Sequence, residues 1–432
     1  MTFFEPATAL RGNYVPPPDK SISHRAALFG AMADEPVVVR NYLDSRDTRS
    51  TVSALLKLGA AVDEEPGGTL LVRGVGLHAP LEATGGLLDV GNSGTLMRLL
   101  PGWLAGQPGG LWTLDGDESI RRRPVDRVAE PLSAMGAHVQ AREGRFPPFT
   151  VRGAELSGIA YELPVPSAQV KSCVLIAGML AAGSTTVVEE APSRDHTERM
   201  LRRARVPVER DGRRLTVSSV DELELDEIVV PGDPSSAAFV VAAATLVAGS
   251  RVVVEDVGLN WTRTGFLHIA ARMGAVILGD LEEPGTEADS EPVGELDVAS
   301  APLEGTAVEP EEVPLAIDEL TLVALLGAFA DGETVVRGAE EMRYKESNRI
   351  AAVVAGLRDL GADIEETPDG FAVRGDGAPL AGGTLDSHGD HRMAMLGAVA
   401  GLASTDGVEV TGMDAAAVSY PGFERDLSAL FG

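Results

Sequence analysis

A short polar or glycine-containing turn, followed at once by an aliphatic helix, recurs along this chain. It starts near Lys20 (KSISHRAALFGAMA), Asn92 (NSGTLMRLLPGWLA), Ser167 (SAQVKSCVLIAGMLA), Asp233 (DPSSAAFVVAAATLVA), Asp318 (DELTLVALLGAFA) and His388 (HGDHRMAMLGAVAGLA). Few charges fall inside these segments, which predicts helices buried within their domains. Each runs on to a β-branched segment that predicts a strand, such as Val37-Val-Val-Arg40, Arg251-Val-Val-Val254 or Thr334-Val-Val-Arg337. A second helix follows and often ends in Gly-Ala, as at Gly59-Ala60, Gly136-Ala137, Gly274-Ala275 and Gly361-Ala362. Glycine there fits the left-handed residue that closes a helix. A further strand comes next, such as Thr69-Leu-Leu-Val-Arg73 or Phe371-Ala-Val-Arg374.

Successive blocks begin 72, 75, 66, 85 and 70 residues apart. The pattern predicts six units of strand, helix, strand, helix, strand and strand. Three plus three gives two similar α/β domains, and a cleft between domains is a usual place for a ligand. The opening helices would bring their N-termini to one polar environment.

Composition narrows the function. Hydrophobic residues make up 44% and aromatic residues 4%, which predicts a mainly aliphatic core. A single cysteine, Cys173, excludes an internal disulfide framework and a cysteine-cluster metal site. The longest apolar runs, Ala237–Ala248 and Leu320–Ala330, are shorter than a membrane span needs. The start, MTFFEPATAL, lacks the basic and apolar regions of a signal peptide. A soluble cytoplasmic protein is expected. A net charge of −29 argues against nucleic acid and anionic lipid as partners. From Asp280 to Glu319 there are fourteen carboxylates and no lysine or arginine, so residues 280–312 are expected to form an acidic surface insertion.

Helix N-termini suit phosphate and carboxylate. Lys20, Ser21 and Arg25 form one polar set at a block start. Ser167, Gln169 and Lys171 form a second, and His391 with Arg392 a third. Serine and aspartate at such places also cap helices, which accounts for Asp233, Ser235 and Ser236. It does not account for Lys20 and Arg25, cations at the end where the dipole disfavours them. Lysine is scarce, four residues against 32 arginines, so Lys20 and Lys345 stand out as compact ammonium groups. In Met342–Arg349, Lys345, Glu346 and Arg349 are either a solvated salt-bridged helix start or a site; if helical, Lys345 and Arg349 share a face. Asp318 is either a cap or a general base. Arg121–Arg123 is an anion contact or a surface cluster. No GxxxxGK[ST], HExxH or strand-linked GxGxxG occurs, and the seven histidines show no metal-ligand spacing. The residues point to small polyanions held by cations, with one or two carboxylates for proton transfer.

Five segments in order, DKSISHR, GNSGT, RRRP, SAQVKS with SRDHTE, and MRYKESNR followed by GDHRMAM, resemble the EPSP synthase family of enolpyruvyl transferases along the whole chain. The resemblance implies an inside-out α/β barrel fold of two domains, each of three βαβαββ repeats. Domain I would comprise residues 1–18 and 231–432, and domain II residues 19–230. It implies transfer of the enolpyruvyl group of phosphoenolpyruvate to the 5-hydroxyl of shikimate 3-phosphate by a monomer, with no metal or organic cofactor. Carried over by position, Asp318, Glu346 and Lys20 would be catalytic. Lys20, Ser21, Arg25, Ser167, Ala168, Gln169, Ser193, Arg194, Asp318 and Lys345 would bind shikimate 3-phosphate. Lys20, Asn92, Gly94, Arg123, Gln169, Arg349, His391 and Arg392 would bind phosphoenolpyruvate. Two bound ligands also imply domain closure.

There are departures. Ala168 stands where many members have a second serine, and Val418 where many have a lysine. SAQVKS and SRDHTE resemble the branch with glyphosate-tolerant members, whereas Gly94 is the residue of sensitive ones; competition by glyphosate is expected. The sister enzymes acting on UDP-N-acetylglucosamine typically carry a loop cysteine and Lys-Asn, but here Ser21 follows Lys20 and Cys173 lies in an aliphatic helix. The acidic charge and the missing catalytic-histidine motif count against the RNA 3′-phosphate cyclases, and Asp318 with Glu346 count against a non-catalytic anion binder.

Overall fold

The computed structural model describes residues 1–78, 81–82 and 85–431. The chain forms two units. The middle unit comprises Pro18–Val230 and Glu287–Glu291; the terminal unit comprises Met1–Pro17, Pro231–Thr286 and Pro292–Gly432.

In the middle unit, three four-stranded sheets share one order: a strand parallel to its neighbour, then two antiparallel strands. They are Glu227–Val229, Val37–Arg40, Thr69–Arg73 and Ala61–Glu65; Leu87–Asp89, Leu111–Asp115, Phe146–Arg152 and His138–Arg142; and Ala160–Glu162, Ser184–Val188, Arg214–Ser218 and Val208–Asp211. The opening helices Lys20–Met32, Gly94–Ala105 and Ala168–Met179 are buried over most of their length. Such helices bury all faces rather than one stripe. The last two approach closely at Gly102: a Cβ there would lie 2.4 Å from the Cys173 carbonyl oxygen. Cys173 is fully buried in this core, where burial pushes its thiol far up.

The terminal unit repeats the order twice. Arg11–Tyr14, Arg251–Gly258, Val293–Ala299 and Val276–Leu278 form one sheet; Ala307–Val308, Asp331–Val336, Gly370–Asp376 and Asp363–Thr367 form the other. The sixth module is shorter than expected. Gly383–Asp386 and Val408–Thr411 pair in parallel, and the third strand is Thr2–Phe4, antiparallel to Val408–Thr411. The buried helices here are Pro234–Leu246, Leu320–Phe329 and His391–Ala403. The second helices close as the Gly-Ala signals predict: Gly59, Gly136, Gly274 and Gly361 all have φ between +99° and +114°.

Strands are exchanged where the chain changes unit. Arg11–Tyr14 precedes the first helix of the middle unit but pairs with Arg251–Gly258 of the terminal unit. Glu227–Val229 precedes the first helix of the terminal unit but pairs with Val37–Arg40 of the middle unit.

Residues 280–312 are not a surface insertion. Val293–Ala299 is an inner strand whose Leu296 and Val298 are buried while Glu295 and Asp297 alternate toward the outside. The carboxylates sit on the wet face and disguise a period-two strand. Glu287–Glu291 belongs to the middle unit, where Glu291 meets His196 at 2.7 Å, Ser290 accepts from Arg199 at 2.7 Å and Glu287 meets Arg202 at 2.6 Å.

Candidate active site

In the middle unit the cations sit at helix starts. Asp19 caps the Lys20–Met32 helix by accepting from the Ile22 amide. Lys20 reaches Asp47 at 3.0 Å. Burial pushes the Asp47 carboxyl up, but Lys20 and His24 outweigh it and hold Asp47 well below the ordinary range. His24 also joins Thr51 at 2.6 Å and Ser93, the cap of the Gly94–Ala105 helix, at 3.4 Å. Arg25 is turned inward. Its Nε donates to Thr197 (2.7 Å), Nη2 to Ser172 (2.9 Å) and Nη1 to the Ser21 carbonyl (3.0 Å). Burial lowers its pKa to about 10.

The Gly94 loop lies over two guanidiniums. A Cβ on Gly94 would sit 2.8 Å from Arg123 Nη1 and 3.1 Å from Arg98 Nη1. The basic run therefore divides. Arg121 is exposed on Asp115 and Arg122 is exposed on Glu118, while Arg123 is buried and donates to Ser119. Asn92 donates to Asp117 at 2.6 Å and steadies the loop. Gln169 accepts from Arg98 (2.9 Å) and donates to Thr95 (3.1 Å). Ser167 caps the Ala168–Met179 helix, and Ala168 is its first residue. The Ser193 hydroxyl donates to Glu189 at 2.9 Å, and half-buried Arg194 follows it.

In the terminal unit the cations gather on carboxylates. Asp318 takes Arg349 at 3.2 Å, Lys345 at 3.4 Å and Arg392 at 3.7 Å, and Arg392 also donates to the Asp318 carbonyl at 2.8 Å. The cap position of the Leu320–Phe329 helix is Glu319, whose side chain makes no capping bond. Instead Glu319 accepts from Ser235 and meets Arg392 at 3.3 Å. Arg349 is buried against Asp390 (2.8 Å) and Glu346 (2.5 Å) as well as Asp318. Burial would lower the Arg349 pKa, but Asp390, Glu346 and Asp318 outweigh it and hold it above its ordinary value. Asp390 caps the His391–Ala403 helix through the Arg392 amide, and His391 lies 3.9 Å from it.

Lys345 and Arg349 do not share a helix face. Glu340–Tyr344 is a 3₁₀ turn, Lys345 is extended, and the α-helix begins at Arg349 under an Asn348 cap. The two cations meet at Asp318 because the chain turns between them. Val418 is half-buried in the 3₁₀ segment Met413–Val418. Sequence reasoning missed Arg98, His24, Asp47, Glu319 and Asp390. Arg98, one turn beyond Gly94, was open to inference; the partners of the others lie far off in sequence. Among the described residues no group of three or more histidine, cysteine, aspartate or glutamate side chains could hold a metal ion, and no helix is long and apolar enough to cross a membrane.

Known proteins resemble this chain in sequence and fold. The fold is that of the enolpyruvyl transferases: the enolpyruvyl transferase NikO from Streptomyces tendae matches 99% of this chain and 96% of its own at TM-score 0.77, with 18% identity, a likeness of fold alone. The EPSP synthase of Acinetobacter baumannii matches 99% of this chain and 97% of its own at TM-score 0.86 and 39% identity. The sequence model for EPSP synthase (3-phosphoshikimate 1-carboxyvinyltransferase) matches residues 4–427. The 3-phosphoshikimate 1-carboxyvinyltransferase of Desulforudis audaxviator is 46% identical over 426 residues, 98% of each chain. That of Acidithiobacillus ferrooxidans is 47% identical over 419 residues, 97% of this chain and 95% of its own. The chain belongs to the EPSP synthase family.

Proposed function

We propose that this protein transfers the enolpyruvyl group of phosphoenolpyruvate to the 5-hydroxyl of shikimate 3-phosphate, releasing phosphate. The observation that carries this reading is the gathering of Lys345, Arg349 and Arg392 on Asp318, with Glu346 on the same Arg349. It supplies two carboxylates for proton transfer, held by cations that suit anionic substrates.

Asp318 takes the hydroxyl proton as the oxygen attacks C2 of phosphoenolpyruvate. Glu346, with Lys20, gives a proton to the methylene carbon. The tetrahedral ketal phosphate then returns a methyl proton to the Glu346 carboxylate; the C–C double bond re-forms and the C–O bond to phosphate breaks, releasing phosphate. Ser21, Arg25, Ser167, Ala168, Gln169, Ser193, Arg194 and Lys345 serve shikimate 3-phosphate, joined by Lys20 and Asp318. Asn92, Gly94, Arg123, Arg349, His391 and Arg392 serve phosphoenolpyruvate, with Lys20 and Gln169 common to both. Within these sets Arg25 acts chiefly as a brace, since three of its donors are engaged inside the protein. The protein acts as a cytoplasmic monomer of 45.1 kDa without a cofactor; light scattering at working concentration tests the mass.

A coupled phosphate-release assay with both substrates tests the activity. Turnover by the wild type that falls steeply in Asp318→Ala supports it. Absence of phosphate release from the folded wild type defeats it.

A further inference from the structure

Lys171 has no part in the proposed proton transfers, yet it is fully buried in the second turn of the Ala168–Met179 helix. A buried ammonium is costly unless it is paired and hydrogen-bonded. Its partners come from one stretch of chain. Nζ meets Glu198 at 2.7 Å and Glu189 at 3.0 Å, and donates to the Ser193 carbonyl at 3.2 Å. Glu189 also accepts the Ser193 hydroxyl at 2.9 Å and meets Arg210 at 3.3 Å. Burial would lower the Lys171 pKa, but Glu198 and Glu189 outweigh it and keep the ammonium charged.

Residues 189–195 have no helix or strand to fix them. The Glu189 amide donates to the Arg213 carbonyl at 3.1 Å and the Asp195 carbonyl accepts from Arg199 at 3.0 Å; between these ends side chains help to hold the stretch. Lys171 holds this stretch at the carbonyl immediately before Arg194 and, through Glu189, at the hydroxyl of Ser193. Next to it on the helix, Ser172 joins Thr197 at 2.7 Å, and both accept from Arg25. The interaction between Arg25 and Arg194 contributes to the lowering at Arg25, so the two guanidiniums lie close enough to repel.

We propose that Lys171 is a positioning residue: its ammonium fixes the Ser193 carbonyl so that Arg194 is presented, beside Arg25, to the phosphate of shikimate 3-phosphate. This rests on the function proposed above. It predicts an effect centred on one substrate, because Glu189, Glu198 and the Ser193 carbonyl flank Ser193 and Arg194, both assigned to shikimate 3-phosphate. It also predicts that the effect passes through Arg194.

The test is Lys171→Met combined with Glu198→Gln, which removes the ammonium and one carboxylate together and leaves Glu189 with Arg210. Thermal melting checks folding, and steady-state kinetics are measured for each substrate. The expected result is a KM for shikimate 3-phosphate raised about tenfold, with kcat and the KM for phosphoenolpyruvate within about twofold. Repeating the change in an Arg194→Ala background separates positioning from general support. Positioning predicts little further rise there, whereas equal rises in both backgrounds overturn the proposal. Equal changes in both KM values, or none, overturn it as well. If the double variant does not fold, Lys171→Arg, which keeps the charge but moves the donors, takes its place: the same rise confined to shikimate 3-phosphate supports the proposal, and equal changes or none overturn it. A folded wild type without turnover removes the functional reading and this inference together; wild-type turnover with an unaltered variant removes the inference alone.

Discussion

The two units use the same modules and buried helices but treat their cations differently. In the middle unit Arg25 is bonded to two hydroxyls and a carbonyl, and Arg98 to an amide oxygen and carbonyls. These hydrogen-bond partners are neutral. In the terminal unit Arg349 and Arg392 meet Asp318, Glu319, Glu346 and Asp390. Lysines of the middle unit do meet carboxylates, Lys20 at Asp47 and Lys171 at Glu189 and Glu198, so the contrast lies between these arginines. The same architecture surrounds its buried arginines with different neighbours.

Substitutions can break that contrast. The largest effect is expected at Asp318: Asp318→Asn should lower kcat by about 10²–10⁴-fold, the range for a lost general base. Ser193→Ala in the middle unit should act mainly on the KM for shikimate 3-phosphate, by less than about tenfold, because its hydroxyl already donates to Glu189. Comparable losses of kcat in both would remove the distinction. The next contrast is stability, read by urea unfolding. Arg349→Met strands buried Asp390 and should cost about 3–5 kcal/mol. Arg25→Met removes the donor from two hydroxyls and a carbonyl and should cost about 1–3 kcal/mol. Equal costs would mean that neighbour charge does not decide the matter.

Two smaller effects sharpen it. Gly94→Ala pushes a methyl against Arg123 and Arg98. The far ends of these side chains can yield, so melting should shift little while the KM for phosphoenolpyruvate rises several-fold. Glyphosate should compete with phosphoenolpyruvate in the wild type and weaken in this variant; an inhibitor constant unchanged by the methyl would count against the placement. Acid unfolding should come last. Asp47 and Asp390 are both held below their ordinary value of 3.8 despite burial, Asp47 by Lys20 and His24 and Asp390 chiefly by Arg349. The unfolded chain therefore binds protons first as pH falls. Their contribution is complete above the ordinary carboxylate range and is lost progressively as pH falls from that range through their lowered folded-state values. Asp47→Asn should flatten that decline between about pH 5 and pH 2. An unchanged slope would exclude Asp47 from it.

Much of this was legible in the sequence because it is local. Four Gly-Ala dipeptides marked left-handed residues, and block starts at Lys20, Ser167 and His391 marked helix ends. The paired carboxylates were not legible, because Asp47 and Asp390 meet their cations 27 and 41 residues away. Val293–Ala299 was misread because Glu295 and Asp297 on its outer face weighed more in composition than Leu296 and Val298 did in period. The sixth module looked complete because its third strand, Thr2–Phe4, comes from the other end of the chain.

The exchanged strands bear on synthesis. A ribosome delivers the three sheets of the middle unit by Val229, so that unit can gather while later segments are still being made. Thr2–Phe4 precedes the middle unit along the chain yet finds its partner only at Val408–Thr411, and Arg11–Tyr14 waits for Arg251–Gly258. These early strands are thus among the last to be seated. A change that weakens either strand would burden the closing step of folding rather than its beginning.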